Sequence, residues 1–334
     1  VGRTFLGINE GAFRSCYNTF GVFDMAFLVL ILLILAAALG GGYYAYRYAF
    51  FSPKKGRDKL PACDGRQYEP YRAEIQRIFR ALQERPCEFV TIPSADGLIL
   101  SGRYYHVADG APLDIGFHGY RSSCLTDFAG GAELSLQSGH NLLLVDQRAH
   151  GKSSGRTISF GILERWDVLS WVDYAVERFG SDVRILLYGI SMGAATVLMA
   201  SDLPLPENVR GIIADCPYSS PKEIICKVAR DRGLPEKAAW LFVWIGARVY
   251  GGFDIRETDA VRAVKHTKIP ILLIHGEADG FVPCGMSGDI QRSNPQRIRR
   301  FTFPGADHGI SFLTDSRRYR DVVSEFCKMT LEQT

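Results

Sequence analysis

The chain has 334 residues, of which 22% are charged, and a formal charge of +3 at pH 7. That length suits one large α/β domain with something attached. The nearly balanced charge lacks the basic excess or patch of a nucleic-acid binder, so no nucleic-acid partner is expected. The eight cysteines are scattered without a Cys-x-x-Cys pair, and the seven histidines show no metal-ligand spacing. Neither a metal, a cofactor nor a disulfide framework is expected.

Residues 1–21 form a short mixed tail. From Met25 to Tyr46 run 22 residues without a charge, long enough as a helix to span a bilayer core of about 30 Å. Tyr43, Tyr44, Tyr46 and Tyr48 form an aromatic belt at its far end. A transmembrane helix is expected over 22–48. Arg47, Lys54, Lys55, Arg57 and Lys59 follow it, whereas only Arg3 and Arg14 precede it. The positive-inside bias then puts the large C-terminal part in the cytoplasm, as a single-pass protein of the cell membrane. A cleaved signal peptide, with Ala36-Ala37-Ala38 near its end, is the rival reading. Apolarity that continues past the alanines favours a permanent anchor.

Residues 49–86 read as a linker and a lead-in helix. The linker, 50–67, is polar and carries Pro53 and Pro61. The helix, Tyr68 to Gln83, places Tyr71, Ile75, Ile78, Phe79 and Leu82 at helical spacing. It docks on the following domain or lies on the membrane surface.

From residue 87 to 334 strands alternate with helices. Strands are expected at 88–92, 98–106, 113–117, 141–146, 183–188, 209–215, 269–275 and 296–303, with helices at 166–179, 194–200 and 318–331. Alternation of this kind builds a mostly parallel sheet, here of eight strands, with helices on both faces. A helical insertion over about 217–267, with Trp240, Phe242 and Trp244, stands where a cap covers a site at the sheet's edge.

Leu186-Leu187-Tyr188-Gly189-Ile190-Ser191-Met192-Gly193-Ala194-Ala195 runs from an apolar strand into an apolar helix through Gly-x-Ser-x-Gly. A serine hydroxyl is a weak nucleophile unless held exposed beside a base, and a sharp strand-to-helix turn does that holding. His308, in Gly305-Ala306-Asp307-His308-Gly309, follows the last expected strand. Its ordinary pKa, near 6.5, suits a proton carrier. Asp279, just past the strand at 269–275, is the acid that orients it. Glu277 and Asp307 are competing acids, one too near its strand end and the other adjacent to His308. Two oxyanion donors are expected, the N–H groups of Met192 and Tyr120. His118 is expected to brace the Tyr120 loop, and the Tyr120 hydroxyl to reach substrate.

These pieces, with His118-Gly119-Tyr120, Asp146-Gln147-Arg148-Ala149-His150-Gly151 and His275-Gly276-Glu277-Ala278-Asp279, make residues 87–334 resemble the α/β-hydrolase superfamily. The chain is most similar there to bacterial serine aminopeptidase-like and prolyl-oligopeptidase-like hydrolases and to membrane-tethered acyl hydrolases of the ABHD type. The resemblance implies an α/β-hydrolase fold with a helical cap and a Ser191–Asp279–His308 triad. Serine at the elbow excludes the dehalogenase and epoxide-hydrolase branches, which use aspartate there. Ala149 stands where relatives usually have glycine. The resulting expectation is a membrane-anchored serine hydrolase that cleaves carboxylic esters or thioesters of a small acyl or lipid-like substrate. A serine peptidase, with Glu223, Asp231 or Glu236 anchoring a substrate amine, is the alternative, and an inactive membrane-bound binding protein is a lesser one.

Overall fold

The computed structural model describes residues 10–53 and 67–332, with side chains from residue 25 on, except that of residue 129. Helix α1 (Glu10–Ala45) continues into a π-helical turn, Tyr46–Phe50. Within it, Met25–Phe50 is long and apolar enough to cross a membrane, and only 6% of its most apolar window is buried. The helix begins at Glu10, inside what the sequence suggests is a tail.

Its far end does not pass directly into a linker. Ala49 and Phe50 are buried, and Phe51 bridges Thr157. The Ile158 N–H donates to the Phe50 carbonyl at 2.8 Å, and the Ser52 N–H to the Arg156 carbonyl at 2.8 Å. Phe50 sits edge-on to Phe160 and Phe253. Two consecutive phenylalanines gain too much from burial to stay in a solvated tether. The remaining linker residues, 54–66, lie outside the described residues.

Helix α2 (Arg72–Glu84) presents one apolar stripe, and Ile78, Phe79 and Leu82 are buried against α3 (Cys124–Gln137). The strands are β1 (Glu88–Pro93), β2 (Ile99–Tyr105), β3 (Leu113–Phe117), β4 (Asn141–Asp146), β5 (Ile185–Ile190), β6 (Val209–Asp215), β7 (Ile271–Gly276) and β8 (Ile298–Phe303). They form one eight-stranded sheet in the order β1-β2-β4-β3-β5-β6-β7-β8. β1 and β2 pair antiparallel, as do β2 and β4, and every later pairing is parallel.

The inner parallel strands, β3 to β7, are buried on both faces, and successive side chains point opposite ways. Leu143, Leu187, Ile212 and Leu273 enter one core with α4 (Glu164–Phe179) and α5 (Met192–Ala200). Leu144, Tyr188, Ile213 and Leu272 enter the other, with α2 and α3. A third apolar cluster caps the C-terminal edge of the sheet and joins Phe50 and Met192 to α6 (Pro221–Asp231) and α7 (Glu236–Ile245). Short α8 (Ala260–Ala263), α9 (Gly285–Ser293), α10 (Ser311–Thr314) and α11 (Ser316–Leu331) complete the chain. The sequence reading does not anticipate α3 and α9, where Gly130, Gly131, Gly285 and Gly288 dilute the helical signal.

One buried charge cluster ties three segments together. Arg148, after β4, donates to both oxygens of Asp167 on α4 at 2.7 and 2.6 Å, and to Asp96 in the β1–β2 turn at 2.8 Å. Arg148 and Asp167 side chains are each 4% exposed. Arg148→Ala is therefore expected to leave a buried carboxylate unpaired and to cost about 3–5 kcal/mol of stability. Arg148→Lys should recover only part of it, because lysine lacks the fork. Chemical denaturation of the three proteins measures both effects.

Candidate active site

The site gathers on loops at the C-terminal ends of the parallel strands, where α/β sheets place their ligands. Between β5 and α5 the chain turns within one residue. Ser191 holds φ +56°, a left-handed conformation that costs a non-glycine residue about 1–3 kcal/mol. The turn persists because its neighbours leave no alternative. A Cβ on Gly193 would lie 1.8 Å from the Phe117 carbonyl oxygen, and one on Gly189 2.3 Å from that of Gly193. The Ser191 N–H donates to the Asp215 carbonyl at 2.9 Å, which ties the turn to the end of β6.

Two side chains from later strand ends meet that serine. His308 Nε2 lies 2.9 Å from Ser191 Oγ, and His308 Nδ1 lies 2.8 Å from Asp279 Oδ2. An ionised carboxylate only accepts, so Nδ1 carries the proton and Nε2 is free to accept from the serine hydroxyl. The Phe281 and Val282 N–H groups donate to Asp279 Oδ1 at 2.9 and 2.7 Å. His275 Nε2, which donates to the Val282 carbonyl at 2.9 Å, lies 3.2 Å from Asp279 Oδ2. Burial opposes charge on Asp279, but the hydrogen bonds from His275 and His308 outweigh it and hold the carboxyl well below the usual carboxylate range.

The competing acids are occupied elsewhere. Asp307 accepts from the backbone N–H groups of His308 and Gly280 at 2.7 and 3.0 Å. Glu277 accepts from the Thr302 hydroxyl at 2.6 Å. Tyr120 lines both cavities that include Ser191, and Met192 follows Ser191 in the chain; neither backbone N–H donates to a backbone carbonyl among the described residues. His118 braces the Tyr120 loop. Its Nδ1 donates to the Gly119 carbonyl at 2.8 Å, and its Nε2 accepts from the Gln147 N–H at 3.1 Å. His150 adds a second brace, with Nε2 accepting from the Arg121 N–H at 3.0 Å. Ala149 next to it holds φ +60°, a conformation that favours glycine. The Tyr120 hydroxyl is engaged by protein, since it donates to the Ala49 carbonyl at 2.7 Å.

Residues 117–239 match the family model described as alpha/beta hydrolase fold. The uncharacterized protein YqkD of Bacillus subtilis is 26% identical over 252 residues, covering 75% of this chain and 82% of that protein. The uncharacterized protein YfhR of Escherichia coli K12 is 28% identical over 188 residues, 55% of this chain and 58% of that one. Among solved structures, the Pyrococcus furiosus esterase Pf2001 superposes with a TM-score of 0.63 at 24% identity, covering 75% of this chain and 93% of that one. Est1E from Butyrivibrio proteoclasticus, solved with ferulic acid bound, gives a TM-score of 0.55 at 21% identity, with coverages of 73% and 100%. The chain has the α/β-hydrolase fold.

Two cavities of this α/β hydrolase-like domain open on Ser191 from different sides. One, of about 590 Å³, lies between α1, α6 and α7 and has almost wholly apolar walls, including Met192, Ile225, Val228 and Phe242. The other, of about 540 Å³, runs under α2 and includes Tyr68, Ser122, Asp127, Asp215 and His308. A third, of about 910 Å³, lies at the opposite end of β3 and β5 and contains none of the residues around Ser191. Among the described residues, one group of potential metal ligands, Cys216, Asp279 and His308, has its atoms within 4.8 Å of one another. Two of the three are already hydrogen-bonded to each other.

Asp215 is the residue of this site that sequence reasoning leaves without a role. A carboxylate closing an apolar strand is its one visible signal. It is buried beneath Ser191 and accepts from the Tyr319 hydroxyl at 2.9 Å. Burial pushes its carboxyl up to about 6, against the Tyr319 hydrogen bond and the nearby His275 and His308. An unfolded aspartate titrates near 3.9, so folding favours the protonated form. That contribution is complete below about pH 4 and lost as the pH rises through 6. Two units correspond to about 3 kcal/mol. Asp215→Asn keeps an acceptor for Tyr319 and does not titrate. Its stability relative to wild type should therefore rise by up to about 3 kcal/mol between pH 4 and 7, read as the difference between unfolding free energies.

Proposed function

We propose that the chain is a membrane-anchored serine hydrolase that cleaves carboxylic esters through an acyl-enzyme on Ser191. The observation that carries this reading is the hydrogen-bonded line from Ser191 Oγ through His308 to Asp279, at 2.9 and 2.8 Å. Ser191 attacks the ester carbonyl while His308 Nε2 takes its proton. Charge develops on the carbonyl oxygen, which the Tyr120 and Met192 N–H groups receive. The alcohol leaves with the proton held on His308. Water, deprotonated by the same nitrogen, then releases the acid and restores the serine. Asp279 holds the imidazole in the required tautomer and stabilises its charged form.

The α/β-hydrolase fold, and its likeness to structures named as esterases, support ester chemistry, and so does the apolar cavity beside Ser191. A thioester presents the same carbonyl. The peptidase alternative needs a free acid near the site. Asp231 pairs with Lys227 at 2.7 Å, Glu236 pairs with Arg230 at 2.7 Å, and Glu223 accepts from the Ser219 hydroxyl. The apolar span and the basic residues after it support an anchored protein with its C-terminal domain in the cytoplasm.

Ser191→Ala is expected to abolish labelling by a fluorophosphonate probe and to lower p-nitrophenyl butyrate turnover by about 10³ or more. Asp279→Asn should lower kcat by about 10⁴ while leaving the fold intact. Unchanged turnover in Ser191→Ala would refute the proposal.

A further inference from the structure

We infer that the acyl cavity is filled from the bilayer: the last turns of α1 form one wall of the site, and the acyl chain of a membrane lipid ester passes between α1 and the cap helices to reach Ser191. This rests on the ester-hydrolase reading above and names its substrate class.

Four observations lead there. First, the cavity that reaches Ser191 is walled on one side by Gly41, Tyr44, Ala45 and Tyr48, all from the helix that is long and apolar enough to span a membrane. A soluble ester hydrolase has no need of that helix as a pocket wall. The volume of about 590 Å³ lies within the usual range for small-ligand sites, and the lining suits hydrocarbon.

Second, α1 is fixed against the cap. A Cβ on Gly41 would lie 2.5 Å from the Phe242 ring, one on Gly42 2.5 Å from Ile245, and one on Gly246 2.6 Å from the Gly42 carbonyl. Helices this close are in backbone contact. The Tyr250 hydroxyl also donates to the Leu39 carbonyl at 3.1 Å. The membrane therefore has a defined position relative to the cap.

Third, the surface beside α1 is apolar. Leu234, Leu241, Val249 and Tyr250 are exposed on and around α7, next to the residues that grip α1. Tyr43 and Tyr44, also exposed, mark the interfacial depth. Arg232, over the Tyr48 ring, and Arg47, over the Phe51 ring, put cations where lipid phosphates lie. A bilayer around α1 covers this patch and meets the cavity at its rim.

Fourth, the π-helical turn that continues α1, with the residue after it, holds the loop that carries the proposed oxyanion donor. The Tyr120 hydroxyl donates to the Ala49 carbonyl, and Arg121 Nη2 donates to the Tyr48 and Phe51 carbonyls at 2.7 and 3.2 Å. On the other side of Ser191, the cavity with Gln67, Tyr68 and Asp127 has polar groups for the departing alcohol.

The full chain in phosphatidylcholine vesicles provides the test, with soluble p-nitrophenyl butyrate and a palmitoyl ester held in the bilayer as substrates. Wild type cuts both. Ala239→Trp fills the cavity from α7 and is expected to lower the ratio of palmitoyl to butyrate turnover about tenfold or more. Equal losses on the two esters, or no loss on either, overturn the inference. If Ala239→Trp fails to fold, Val228→Trp on α6 is read the same way. The pair Leu234→Asp and Leu241→Asp should slow cleavage of the bilayer-held ester by about fivefold or more and spare the same ester in detergent micelles. Equal slowing in vesicles and micelles means that the chain arrives from solution, and overturns entry from the bilayer. Wild type that cuts butyrate but not the palmitoyl ester overturns this inference alone. Wild type that cuts neither, with Ser191 unlabelled by a fluorophosphonate, instead defeats the hydrolase reading on which it rests.

Discussion

At Gly193 the backbone of α5 comes so close to the end of β3 that a single added carbon would collide with the Phe117 carbonyl oxygen at 1.8 Å. That contact forces the chain to reverse at Ser191 and keeps its φ at +56°. The strain of about 1–3 kcal/mol is small beside what two packed cores supply, since both faces of the inner parallel strands are sealed by helices. A hydroxyl at the tip of so constrained a turn cannot fold back onto its own helix. It stays in contact with His308, whose position in turn depends on Asp279 and the backbone N–H groups that fix that carboxylate.

Around this turn, charge is distributed unequally between two buried acids. Asp279 and Asp215 both close or follow strands at the same sheet edge, and both are removed from water. Asp279 has two histidines and two backbone N–H groups and stays ionised. Asp215 has one tyrosine hydroxyl and an oxygen without a partner among the described residues, so burial prevails and its carboxyl rises. The difference lies in the number of donors aimed at each group rather than in burial. Below about pH 6 it leaves one negative charge, not two, next to the histidine that must become positive during the proposed reaction.

Much of this is legible in the sequence, for a physical reason. Strands buried on both faces are written as unbroken apolar runs, such as Asn141-Leu142-Leu143-Leu144-Val145-Asp146, and the residues that the proposed reaction uses follow such strands. Ser191, Asp279 and His308 can thus be picked out although they lie far apart along the chain. Helix α3 is not legible, because its paired glycines, Gly130 and Gly131, hide an amphipathic pattern that only the packing against α2 reveals. Nor is the role of Tyr48 and Ala49 legible. What matters there is their carbonyl oxygens, which every residue has, so no side-chain pattern marks them.

The end of α1 is where the two halves of the molecule constrain each other. A span that served only as a tether would leave the domain through a solvated linker, and its last turns would have no reason to exclude bulk. Here Gly41, Gly42 and Gly246 admit backbone contact, Phe50 is fully buried, and the following residues pair with 156–158. Moving the helix by one turn, about 5.4 Å, would break these contacts and withdraw the carbonyls that Tyr120 and Arg121 hold. The geometry beside Ser191 is therefore not independent of how the apolar helix is seated. On the proposed reading, a hydrolase assembled this way keeps its acyl cavity facing the phase that its anchor occupies, because one helix serves both ends.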